Sequence, residues 1–133
     1  MGELKECLEE QASECFRKEL NKAFQAEATE TTIYEAYIRF AANEPQLFRH
    51  LFIETKLGAS ILDENPDVSA KVKELVKEKC GLEQENADIF CRTLAVYAHG
   101  LAAMIAMKET DITPAEAADQ INALKDRECR ALH

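Results

Sequence analysis

From Thr93 to Met107 the chain runs for fifteen residues without an Asp, Glu, Lys or Arg. On a helix this run is apolar in every direction. Leu94, Tyr97, Leu101 and Ile105 make a bulky face, Ala95, Ala98, Ala102 and Ala106 a small one, and Val96, Gly100, Ala103 and Met107 a third. A helix without a polar side has to be covered on every side. The run is shorter than the roughly 18–20 residues a bilayer crossing needs, so no membrane contact is expected. Protein must therefore do the covering. The chain's own helices can take part of the surface, and one face is expected to meet a partner, because soluble monomers leave little contiguous apolar area bare.

The rest of the chain reads as helices with clear punctuation. Leu4, Cys7, Leu8, Ala12, Cys15, Phe16, Leu20 and Phe24 stripe a helix over Leu4–Phe24. Thr32 followed by Glu35 offers a capping box for the next helix, whose stripe is Tyr34, Tyr37, Ile38 and Ala41. Pro45 should stop that helix near Asn43 and open a short one to about Thr55. Residues 56–67 are irregular, with Gly58 and Asp63-Glu64-Asn65-Pro66 as breakers. Asp67 can cap a helix faced by Val68, Val72, Leu75 and Val76 and closed by Gly81. A long helix over Leu82–Glu109 follows. Thr113, Pro114 and Glu116 start a last one, striped by Ala117, Ile121, Leu124, Cys129 and Leu132. With four Gly, three Pro and abundant Ala, Glu, Lys and Leu, the fold class is all-α: one domain over residues 1–133, an antiparallel bundle of about six to seven helices.

Charge narrows the function classes. Sixteen basic residues against 25 acidic ones give a net charge of −9, and no basic cluster able to neutralise a phosphate backbone is present, so no nucleic-acid binding is expected. The opening Met1-Gly2-Glu3-Leu4-Lys5-Glu6 has charges where a signal peptide needs an apolar stretch, which points to a cytoplasmic protein. Cys7, Cys15, Cys80, Cys91 and Cys129 form no Cys-x-x-Cys pair and are read as free thiols.

Two motifs resemble a known family. Tyr37, Phe40, Ala41 and Pro45, followed by Leu47, Phe48 and Phe52, follow the pattern Tyr-x-x-Phe-Ala-x-x-x-Pro running into Leu-Phe-x-x-x-Phe. This is similar to a segment in the ligand-sensing half of tetracycline-repressor (TetR) family regulators. His99-Gly100-Leu101, with Tyr97 one step closer to the histidine than is usual, resembles the aromatic-x-x-His-Gly-Leu element of one large group of those domains. The order of elements also fits, over most of residues 4–132. The family's helix-turn-helix reader has no counterpart here, since Gly2-Glu3-Leu4-Lys5-Glu6 looks like the start of the helix that follows it.

The resemblance implies a homodimeric, small-molecule-sensing regulatory domain in which an effector shifts the dimer between two arrangements. It implies an interface made by the last two long helices, with Ala95, Ala98, His99, Ala102, Ala103, Ala106, Ile121 and Leu124 at or near it. It places a pocket for an apolar or amphipathic effector among Phe16, Leu20, Tyr37, Phe40, Phe48, Phe52, Phe90, Leu94 and Tyr97, with Arg39 and His50 near these stripes. The same large side chains also serve as ordinary core. Two other readings stay open: a stand-alone helical protein that pairs with a full-length relative, and a thiol-based redox sensor.

Catalysis is not expected, nor a cofactor or metal. A di-iron bundle needs Glu-x-x-His pairs, and His50, His99 and His133 are preceded by Leu47, Val96 and Arg130. His50 and Glu54 share a helical face, but a pair is not a metal site. Ser13, Ser60 and Ser69 lack elbow glycines. Cys91 and His99 are eight residues apart, ~12 Å along a helix, too far for proton exchange.

Overall fold

The computed structural model describes the backbone of residues 2–25, 28–50 and 66–133 and the side chains of residues 14–25, 28–50 and 70–133. Six helices appear among them: α1 (Gly2–Gln25), α2 (Thr32–Asn43), α3 (Pro45–Arg49), α4 (Pro66–Cys80), α5 (Gln84–Ala106) and α6 (Pro114–Ala131). The described residues contain no strand. Leu4, Cys7, Leu8, Ala12 and Val68 lie outside the described side chains, and Phe52, the His50–Glu54 pair, the end of the short helix and the irregular stretch before Pro66 lie outside the described residues.

The boundaries follow from local chemistry. Glu44, with φ −131° and ψ 63°, is both the end of α2 and the entry to α3. Its N–H donates to the Phe40 carbonyl at 2.8 Å, and its own carbonyl accepts from Phe48 N–H at 2.9 Å. Pro45 then takes the first helical position, where a missing N–H costs nothing. Gly81 ends α4 at φ +69°, its N–H closing on the Lys77 carbonyl at 3.0 Å. At α6 the capping box is complete. Thr113 Oγ1 accepts from Glu116 N–H at 3.1 Å, and Glu116 Oε1 accepts from Thr113 N–H at 3.4 Å.

At α2 the expected box between Thr32 and Glu35 does not form. The capping position is Thr31, whose hydroxyl donates towards Glu35 Oε2 at 3.2 Å and Asn122 Oδ1 at 3.1 Å. The Thr32 hydroxyl instead accepts from Thr29 N–H at 2.7 Å, and the helix is entered one residue earlier than the spacing suggests. At α4 the helix starts at Pro66, so Asp67 lies in its first turn rather than capping it.

The helix wrapped by the rest is α2, not α5. It packs against α1, α3, α5 and α6, most extensively against α5. Ile33, Tyr34, Ala36, Tyr37, Ile38, Phe40 and Ala41 are all buried. Its more accessible positions include Thr32, Glu35, Arg39 and Asn43, which line up along a single edge. Around it the core gathers Phe16 and Leu20 from α1, Phe48 from α3, Val72 and Val76 from α4, Phe90 and Leu94 from α5 and Ile121 from α6. Tyr34 is held inside by an O–H bond to the Cys91 carbonyl at 3.2 Å, and burial pushes its phenol well above the usual range.

The cysteines correct the sequence reading. Cys80 and Cys129, 49 positions apart, are joined in a disulfide that ties the end of α4 to the last turns of α6, with Cα atoms 5.7 Å apart. Cys15 and Cys91 are free, and burial raises both thiols above their ordinary value, which makes them weak nucleophiles.

Candidate functional site

Two features carry chemistry that a bundle of this kind can use: an aromatic centre with a polar handle, and an uncovered face of α5. The centre is built at the Pro45 corner. There α2 delivers Tyr37 and Phe40, α3 delivers Phe48, and α1 adds Phe16. Tyr37 and Phe48 rings meet edge-on, centroids 5.1 Å apart, and Phe16 lies 5.8 Å from Tyr37 and 5.2 Å from Phe40. Such offset and edge-on pairs add ~0.5–1.5 kcal/mol each beyond area burial.

His99 of α5 closes the group. Its ring centroid is 6.0 Å from Tyr37 and 6.2 Å from Phe48, and its Nδ1 meets the Tyr37 hydroxyl at 2.6 Å. Burial alone holds the imidazole below its ordinary pKa, so it is neutral at pH 7 and Nδ1 can accept the phenolic O–H. The result is a hydrogen-bonding pair inside a shell of rings.

Of the residues expected to line a pocket, Phe16, Leu20, Tyr37, Phe40, Phe48, Phe90 and Leu94 are all buried in one contiguous core. The two clefts described lie elsewhere, and both are polar. One, about 460 Å³, is lined by Glu19, Lys22, Thr32, Glu35, Arg39 and Asn43 between α1 and α2. The other, about 500 Å³, is lined by Glu30, Lys79, Lys125, Asp126, Arg130 and His133 around the disulfide.

Tyr97 departs from the expectation. It is 38% exposed, and its hydroxyl donates to Gln120 Oε1 of α6 at 3.0 Å. Its helical position, one residue from Val96, turns it outward, away from Leu94. Arg39 is exposed and His50 half-buried.

The residues expected at a partner contact are redistributed. Ala98, Ala102, Ala106 and Ile121 are buried inside the chain. Small side chains on α5 let the chain's own neighbouring helices approach closely, so these four have no surface left to offer. Ala95, His99, Ala103 and Leu124 are half-buried at the margin. The face left open is the third one. Ile89, Val96, Met104 and Met107 are exposed large hydrophobics, with Gly100 between them. At 100° per residue, positions 89, 96, 100, 104 and 107 fall within one narrow arc. A Cβ placed on Gly100 would meet nothing within 4 Å, so the backbone itself is open to approach there. Tyr97 and Gln120 border the stripe on the α6 side.

By length and composition α5 is also apolar enough to cross a membrane: 23 residues, with a window of mean hydropathy 1.5. Its inner side, however, packs against α2, α4 and α6, so the stripe is what it has left to present. Among the described residues, no three His, Cys, Asp or Glu side chains gather where a metal ion could sit. No protein-family model, curated protein or solved structure matches the chain.

Proposed function

We propose that this chain is a homodimerising, small-molecule-sensing regulatory domain of the TetR type, in which the open stripe of α5 and the adjoining flank of α6 meet the same surfaces of a second copy. The observation that carries the reading is the stripe itself: Ile89, Val96, Met104 and Met107 uncovered on a helix that is otherwise core. From Ile89 to Met107 it runs ~27 Å, and at a helix width of ~10 Å it offers roughly 270 Å². A stable interface uses about 800 Å² on each partner. The stripe alone is therefore too small, and α6 must contribute through Gln120, Ala123, Leu124 and Arg127, which makes a four-helix contact of the closed, two-fold kind.

The aromatic centre is the sensing element in this reading. An apolar effector with one polar group would part the Tyr37, Phe48 and Phe16 rings and take over the hydrogen bond between Tyr37 and His99. Because α5 carries both His99 and the stripe, whose Gly100 is the next residue, a shift of α5 reaches the dimer face directly. Regulation by a fused or associated DNA-reading unit then follows by population shift.

Sedimentation over a wide concentration range tests the association, with a reversible monomer–dimer equilibrium expected and a clean monomer at several hundred micromolar refuting it. A thermal-shift screen of apolar acids, phenols and cationic dyes tests the sensing. Hits should lose their stabilising effect in Y37F if the Tyr37–His99 pair is the handle.

A further inference from the structure

A third chemical feature of the molecule is the cleft around Cys80 and Cys129. Cys80 is the last residue of α4 and is almost fully buried, whereas Cys129 on α6 is half-exposed, so Cys129 offers the accessible sulfur. Glu30, only 7% exposed, lines the same cleft. Its Oε1 pairs with Lys125 Nζ at 3.2 Å, and its Oε2 is buried with no hydrogen-bond donor. Lys125 is committed to Glu30 and to Asp126, the latter at 3.3 Å. Lys79 and Arg130 also line the cleft, and no ion pair is seen for either among the described residues. Arg130 Nε donates to the Asp126 carbonyl at 3.3 Å, which leaves its charge without a carboxylate partner. The cleft therefore combines a disulfide, two cations outside any ion pair seen among the described residues and a carboxylate oxygen short of a donor, in a space the size of a small peptide.

We propose that this cleft receives a zwitterionic, net-anionic peptide thiol, which opens and closes the Cys80–Cys129 bond and so sets whether α6 is tied to α4. Lys79 and Arg130 attract its carboxylates, and its ammonium supplies the donor that Glu30 lacks. The thiolate attacks Sγ of Cys129. An S–S bond forms between them, the Cys80–Cys129 bond breaks, and its electron pair leaves on Cys80 Sγ, which takes a proton from solvent. A second thiol attacks the mixed disulfide, releasing Cys129 as a thiol and the oxidised thiol dimer. Two thiols are oxidised and one protein disulfide reduced, and the reverse sequence closes the clasp. Nearby cations stabilise both the approaching and the departing thiolate. The proposal does not depend on the α5 stripe meeting a second copy, and its test reads sulfur chemistry alone.

The oxidised full chain is mixed with reduced glutathione or with the uncharged thiol 2-mercaptoethanol, quenched by alkylation at intervals and analysed by mass spectrometry. Glutathione should react faster per thiolate than 2-mercaptoethanol, with the transient mixed disulfide mapping to Cys129. The double variant K79Q/R130Q changes two exposed side chains and should fold normally. It should slow glutathione about three- to tenfold more than it slows 2-mercaptoethanol, which shares the thiolate but has no carboxylates to dock. Equal rates for the two thiols in the wild-type chain, or an unaltered glutathione preference in K79Q/R130Q, would overturn the docking site. Failure of Cys80 and Cys129 to join in oxidised glutathione would overturn the switch as a whole.

Discussion

Replacing Val96 with Asp separates association from folding more cleanly than any other single change on this surface. Val96 is 70% exposed, the most accessible of the large hydrophobics on α5. Valine and aspartate have similar helix propensities, and an exposed site contributes little to the fold, so the isolated chain should change by no more than about 0.5 kcal/mol. In a two-fold contact the substitution counts twice. Fully covering a valine is worth ~1.5 kcal/mol, so covering the exposed part is worth about 1 kcal/mol per copy. Loss of both copies amounts to about 2 kcal/mol, or roughly thirtyfold in Kd. That is a lower bound, because two carboxylates would also have to be desolvated near each other. The assay is sedimentation velocity across a hundredfold range of concentration, with urea unfolding of both chains at the low end. A dimer constant that moves less than fivefold in V96D, with an unchanged urea midpoint, would refute the placement of the interface. A V96D chain with a collapsed midpoint would instead show that Val96 belongs to the core, against its exposure.

The remaining predictions are smaller. Gly100→Leu should leave the monomer folded, since nothing lies within 4 Å of a new Cβ, but should weaken the dimer at least as much as V96D by blocking backbone approach; light scattering reads both. Phe48→Ala removes a fully buried ring from the aromatic centre and should cost ~3–5 kcal/mol in urea unfolding, a loss below 1 kcal/mol showing that the centre is not packed as described. Thr113→Ala deletes the hydroxyl that accepts from Glu116 N–H in the α6 capping box and should cost ~1 kcal/mol by the same measurement. For His99, burial depresses the folded-state pKa, so the unfolded chain binds more protons as pH falls below the ordinary histidine value of 6.5. Its contribution is present in full above that value and is lost on acidification. The drop in urea midpoint between pH 7.5 and 5.5 should therefore be smaller in H99Q than in the wild-type chain, and equal drops would contradict the assignment.

How much was legible in the sequence can be judged residue by residue. The Pro45 corner, the Gly81 stop and the Thr113 box were readable because each depends on the backbone chemistry of a few consecutive residues, which spacing displays. The Tyr37, Phe40 and Phe48 stripe was readable because large rings at helical spacing are buried in a chain this size. The Thr32–Glu35 box does not form because Thr31 takes the capping position and reaches Asn122, 91 positions on, while the Thr32 hydroxyl accepts from Thr29 N–H. The Cys80–Cys129 pair gave no local sign at all, since 49 residues separate partners that only helix packing brings together. Glu30 and its unpartnered oxygen were missed for the same reason: an acidic residue next to threonines looks solvated until Lys125 and the α6 terminus are placed beside it.

Composition and periodicity by themselves determined an all-helical chain, most of its helix boundaries, and the presence of more apolar surface on residues 93–107 than one side of a helix can use. Which side of that helix remained open was decided by tertiary packing. The small residues Ala98, Ala102 and Ala106 are the ones that let the bundle's own helices come close, so they are consumed inside the chain. The valine, glycine and methionines opposite them are left at the surface. Periodicity is symmetric about a helix axis, and only the neighbours break that symmetry.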